Sequence, residues 1–164
     1  MAVHQPATAE IVIAGGGAVG CSIAYHLAKR GVTNVVVLER HQVGSGSTSK
    51  AAGGVRAQFT TPVEIAFSLR SIAFFQRFAE EMDAVCDYRQ IGYLTLLTTE
   101  DDRRKYEREI ALQRSHGVEV GIISPEDARE IVPQLRVDDL IGAVWSPRDG
   151  YAGVSLLRML RTGR

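Results

Sequence analysis

Residues 10–40, EIVIAGGGAVGCSIAYHLAKRGVTNVVVLER, decide how this chain begins to fold. An apolar run, Ile11-Val12-Ile13-Ala14, leads into Gly15-Gly16-Gly17-Ala18-Val19-Gly20. A helical pattern follows, and the chain returns as Val35-Val36-Val37-Leu38 before Glu39. The pattern predicts strand, helix, strand: a β-α-β unit of the kind that binds a dinucleotide. The spacing Gly15-x-Gly17-x-x-Gly20 alone is weak, because a chain with 16 glycines produces it by chance. A glycine-rich turn in an ordinary α/β protein is the competing reading. The setting favours the dinucleotide: a buried-strand run before, a helix after, and an acidic residue about 20 residues on.

Each part of the unit has a physical task. Gly15 permits the tight turn, Gly17 lets the backbone approach a pyrophosphate, and Gly20 lets the helix pack closely on the strand. The helix start then offers free N–H groups to the diphosphate. Glu39 accepts hydrogen bonds from ribose hydroxyls and repels a 2′-phosphate, which disfavours NADP.

Bulk properties narrow the class. A length of 164 residues suits one domain or part of a larger one, and 45% hydrophobic residues suffice for a core. The formal net charge is zero, so no global field draws nucleic acid or an anionic membrane. Cys21 and Cys86 match no metal spacing and no disulfide framework, and Cys21 reads as an inert core thiol. Residues 1–9 are short and polar for a signal peptide, and no apolar run approaches membrane-spanning length. A cytoplasmic protein is expected.

Residues 41–56 are mostly small and cannot fill a core. They read either as a flexible linker or as a ligand-facing loop, and their place directly after the dinucleotide unit favours the loop. Thr61-Pro62-Val63-Glu64 predicts a capping box with proline at the first helical position. The helix it starts carries Ile65, Leu69, Ile72, Phe75 and Phe78 at helical spacing and is expected to reach Met82. Residues 89–98 alternate as an antiparallel strand does, which puts a second structural region from about there. Thr99 and Asp102 then cap a charged surface helix over 101–116, with Gly117 as its stop. Residues 118–123 predict a short strand, Ser124-Pro125-Glu126-Asp127 a short helix ending before Pro133, and 140–145 another strand. Residues 146–150 read as turn chemistry.

With the glycine fingerprint, Glu39-Arg40, and residues 46–59 (GSTSKAAGGVRAQF) on the page, the chain resembles the FAD-dependent oxidoreductases of the D-amino-acid oxidase superfamily. Its branch looks like the sarcosine oxidase, dimethylglycine dehydrogenase and proline dehydrogenase group. Gly92-Tyr93-Leu94, Pro133-Gln134-Leu135 and Asp149-Gly150-Tyr151 fall in the order that group has. The resemblance implies an α/β fold, with a Rossmann-like FAD-binding region over 1–88 and the start of an α+β substrate domain over 89–164. It implies that Gly15, Gly17, Val19 and Gly20 hold the pyrophosphate, that Glu39 holds the ribose with Arg40 beside the adenosine, and that Gly46, Ser47, Thr48, Ala52, Gly53 and Gly54 wrap the phosphate side towards the flavin. The implied chemistry is hydride transfer to flavin N5 from the carbon next to an amine nitrogen, giving an imine that water hydrolyses.

Some relatives attach FAD covalently to a histidine of this loop; here that place is Lys50, which implies non-covalent FAD. Arg56 reads either as the arginine that pairs with a substrate carboxylate or as a structural arginine bonding backbone carbonyls. Members of the family run well beyond this length, and after Tyr151 the chain departs from their pattern with Ala152-Gly153-Val154. A truncated or frameshifted copy is therefore expected, with an exposed apolar edge beside the first strand and marginal stability or self-association as the consequence; a companion chain is the other expected partner. The partner expected besides is a small amine or amino-acid substrate, with no nucleic acid and no membrane. A non-catalytic remnant or partner subunit, and an NAD-dependent dehydrogenase, are the competing functions.

Overall fold

In the computed structural model, residues 8–84 and 86–153 are described. They fall in two compact units, the first ending at Ala52 and the second spanning Gly53–Gly153.

The first unit is the β-α-β element. Strand β1 (Ile11–Ala14) pairs in parallel with β2 (Val35–Leu38), Ile11 opposite Val35 and Ala14 opposite Leu38. Parallel neighbours need a crossover, and α1 (Ala18–Lys29) provides it, packing on both strands. Ile13 is buried beneath it. Beyond β2 the chain makes a single 3-10 turn over Ser47–Lys50.

The second unit holds two antiparallel sheets and the main core. β3 (Gly54–Val55), β4 (Tyr88–Arg89) and β8 (Gly150–Ala152) form one sheet in the order β3-β8-β4. β5 (Tyr93–Leu97), β6 (Gly121–Ile123) and β7 (Gly142–Ser146) form the other, ordered β5-β7-β6. The helices are α2 (Pro62–Gln76), α3 (Phe78–Met82), α4 (Glu100–Ser115) and α5 (Pro125–Ile131). Ile65 and Ile72 of α2, Leu97, Ile110, Val118, Val120 and Val144 meet in one buried cluster. The Ile65, Leu69, Ile72 stripe is core packing, as its spacing predicts.

Several sequence expectations change in detail. The helix expected to run from Pro62 to Met82 is broken at Arg77, whose N–H reaches back to Phe74 O at 3.1 Å. Phe78, just beyond the break, is buried, and Phe74 meets it edge-on at 5.6 Å between ring centroids. The strand expected over 89–98 is two strands in different sheets, separated where Gly92 takes φ +81°. The strand expected from Val118 begins at Gly121. The second unit begins at Gly53, and within it β3 pairs with β8, Gly54 opposite Tyr151 and Val55 opposite Gly150.

Candidate functional site

The turn from β1 into α1 is closed by main-chain bonds, Gly15 N–H to Leu38 O at 2.7 Å and Gly44 N–H to Gly16 O at 2.9 Å. Gly15 sits at φ +107°, a conformation that side chains strain to reach. At Gly20 space is the limit: a Cβ there would overlap the Gly15 carbonyl oxygen and approach Ile13. The helix therefore enters close against the strand it leaves.

Gly17 precedes α1 without any side-chain cap, and α1 has no acidic residue in its first turn. Thr48 supplies the missing cap from the 3-10 turn, its hydroxyl accepting Ala18 N–H at 3.0 Å. A Cβ on Gly17 would come within 3.0 Å of the same hydroxyl oxygen. The positive end of the helix, its remaining first-turn N–H groups and a hydroxyl thus lie together, a setting that suits an anion. Val19, in the same turn, is 75% exposed.

Glu39 follows β2 directly and closes the other side. Its Oε2 accepts Gly16 N–H at 2.8 Å and its Oε1 accepts His41 N–H at 2.9 Å. The bond from His41, then that from Gly16, hold the carboxyl below its ordinary range, so it is an anion at neutral pH. Each oxygen keeps lone-pair capacity for a further donor such as a ribose hydroxyl. Arg40 is exposed beside it. Cys21 is half-buried rather than in the core, its thiol 3.6 Å from Gly16 O, and burial first, then the Glu39 charge, pushes it up.

The small-residue stretch after β2 is bonded rather than a free linker. Gly46 precedes the 3-10 turn, and the Ser49 hydroxyl lies 2.9 Å from both Ser45 O and Gly46 O. Ser47, Lys50 and Ala52 are exposed.

Gly53, Gly54 and Arg56 belong to the second unit. Gly53 O accepts Ala152 N–H at 2.8 Å, and Gly54 lies in β3. Arg56 is exposed and bonds no backbone carbonyl among the described residues; its guanidinium lies 5.3 Å from the Phe59 ring centroid and 5.7 Å from that of Tyr93. It forms no ion pair with any described residue.

Asp149 is the residue that sequence reasoning passed over as turn chemistry. It is 1% exposed, and its carboxylate accepts Ala57 N–H at 2.9 Å and Gln58 Nε2–H at 3.1 Å. In the sequence it stands in the turn stretch 146–150 and in the Asp149-Gly150-Tyr151 motif of the resemblance. Among the described residues no group of three or more His, Cys, Asp or Glu could hold a metal, and no helix is long and apolar enough to cross a membrane.

The chain is 37% identical over 161 residues to mitochondrial dimethylglycine dehydrogenase of Rattus norvegicus, covering 94% of this chain and 18% of that protein. It is 30% identical over 149 residues to sarcosine oxidase subunit beta of an Arthrobacter species, covering 87% of this chain and 37% of the relative. The crystal structure of L-proline dehydrogenase from P. horikoshii superposes with a TM-score of 0.88 at 37% identity, over 96% of this chain and 41% of that one. The chain thus spans about a fifth to two fifths of the length of these relatives. The glycine turn without side chains, the helix end free of acidic residues, the Thr48 hydroxyl and the doubly bonded Glu39 carboxylate are a donor and acceptor set that fits FAD. Residues 10–162 match the DAO family of FAD dependent oxidoreductases, and the chain belongs to that family.

Proposed function

We propose that this chain carries the N-terminal, FAD-holding part of an oxidoreductase that oxidises the C–N bond of an amino acid or N-alkylated amine, of the sarcosine, dimethylglycine or proline type. The observation that carries the reading is the convergence of the glycine turn, Thr48 and Glu39 at the start of α1. Bound flavin supplies the acceptor for a hydride from the carbon next to the amine nitrogen. In this reading residues 1–88 serve the cofactor and residues 89–164 begin the region that covers the substrate.

The chain's own residues bind and orient. Gly15 and Gly20 set the tight turn and the close packing of the helix at the diphosphate, Gly17 and Val19 bring main-chain N–H groups to it, and Glu39 accepts the ribose hydroxyls with Arg40 beside the adenosine. Gly46, Ser47, Thr48, Ala52, Gly53 and Gly54 let the backbone run close to the phosphate side. Attachment is non-covalent, Lys50 standing where some relatives have a histidine. Arg56 receives the substrate carboxylate: an always-charged fork, exposed and without an ion-pair partner among the described residues, suits that task.

Titrating the purified chain with FAD and separately with NAD, followed by flavin fluorescence and by calorimetry, tests the cofactor. Tighter FAD binding is expected, weakened about tenfold or more by Glu39→Ala through loss of charge-assisted bonds; tighter NAD binding would overturn the reading. Bleaching of the bound flavin by N-methylglycine, N,N-dimethylglycine or proline tests the substrate class. Similarity to a relative whose name makes it a subunit, sarcosine oxidase subunit beta, favours a second reading, a subunit that completes its site with a companion chain. Mixing with candidate companions decides: activity that appears only in the mixture supports the subunit.

A further inference from the structure

We propose that Asp149 is a positioning residue that seats the Arg56 guanidinium over the rings of Phe59 and Tyr93. The inference deepens the reading of Arg56 as the group that receives a substrate carboxylate, and rests on it for the ligand but not for the seat.

The geometry is a matter of which atoms Asp149 holds. Its two carboxylate oxygens take Ala57 N–H and Gln58 Nε2–H, the two residues that separate Arg56 from Phe59. Its main-chain carbonyl takes Gly92 N–H at 2.8 Å, the residue before Tyr93. One residue therefore bonds both chain segments that bring rings to Arg56. Those rings lie 5.3 and 5.7 Å from the guanidinium carbon. The next residue, Gly150, pairs with Val55, so Asp149 and Gly150 hold the two neighbours of Arg56 in the chain.

A carboxylate is a costly way to make this tie. Burial pushes the Asp149 carboxyl up, and the Ala57 and Gln58 bonds and the Arg56 charge oppose it. An asparagine would accept Ala57 N–H without that desolvation cost. What it would lack is the negative charge that reaches Arg56. Left alone, an exposed arginine samples many rotamers, and binding an anion then has to order it. A guanidinium already seated on two rings avoids that cost.

The test uses the full chain with labelled arginine side chains and isoleucine and leucine methyl groups. In the wild type the Arg56 δ-protons are expected to show ring-current shifts. Asp149→Asn and Gln58→Ala are each expected to move them towards random-coil values while the Ile65 and Leu97 methyl resonances stay in place. A merely structural role would move those core methyls instead. Titration with N-methylglycine, with ethylamine as the control lacking a carboxylate, is expected to show binding at Arg56 that weakens about tenfold in Asp149→Asn through lost pre-organisation. Unchanged Arg56 shifts in both variants would overturn the proposal, and Gln58→Ala, at a half-buried position, decides alone if Asp149→Asn does not fold. Wild-type binding that both variants retain in full would overturn it as well. If N-methylglycine leaves wild-type Arg56 unmoved, the carboxylate role of Arg56 fails, while the ring-current arm still decides the seat.

Discussion

At the scale of single residues, Glu39 does two things with one carboxylate. It closes the glycine turn onto β2 through Gly16 and holds the following bend through His41. Because these bonds lower its pKa below the ordinary 4.5, the tie is fully present above that value and is lost as pH falls through the lower folded value. The amide shifts of Gly16 and His41 should therefore titrate together with a midpoint below 4.5. Midpoints at or above it, or two separate midpoints, would contradict the shared tie. Glu39 was legible in the sequence because an acidic residue at the end of a second strand has a fixed distance from the glycines. Its bond to Gly16 was not, since spacing along a chain says nothing of where a carboxylate turns. Asp149 was hidden for a related reason: aspartate in a turn is ordinary, and only the return of β8 beside β3 takes it out of water.

At the scale of elements, helix starts were the most readable feature. Thr61 and Thr99 accept the N–H groups of Glu64 and Asp102, and Ser124 with Asp127 makes the full reciprocal capping box, each with signals three residues apart. Ser124→Ala should cost about 1 kcal/mol in denaturant unfolding, with an unchanged slope. At Thr61 and Thr99 the reciprocal arm is replaced by a bond between hydroxyl and carboxylate, 2.7 Å in both. β3 and β8 could not be read, because strands of two and three residues carry no period. The division between β4 and β5 depends on Gly92, whose Cβ would meet the Trp145 ring and whose φ is positive. Gly92→Ala should cost about 3 kcal/mol or more from strain and overpacking together, seen as a lowered thermal midpoint. A midpoint within a degree or two of wild type would show that Trp145 moves aside freely.

At the scale of the whole molecule, the β-α-β unit has two parallel strands among the described residues, and they leave apolar surface open. Val12 is 57% and Leu38 51% exposed, with Val19 and Ile23 of α1 exposed too. Parallel sheets are normally covered on both faces. The isolated 164-residue chain is therefore expected to self-associate, with a weight-average mass that rises with concentration in sedimentation equilibrium. A monomer that melts in one cooperative transition would refute this.

Both sheets of the second unit share one trait: the central strand is the last of its sheet in the chain, β8 between β3 and β4, and β7 between β5 and β6. During synthesis the four outer strands leave the ribosome first, and none of them pairs with another. Their backbone groups wait for residues 142–152 before either sheet can close, so the nascent chain carries open strand edges for most of its length. A chain stopped at residue 140 would keep every helix among the described residues and every residue of the buried cluster except Val144, yet it would hold no second-unit sheet at all.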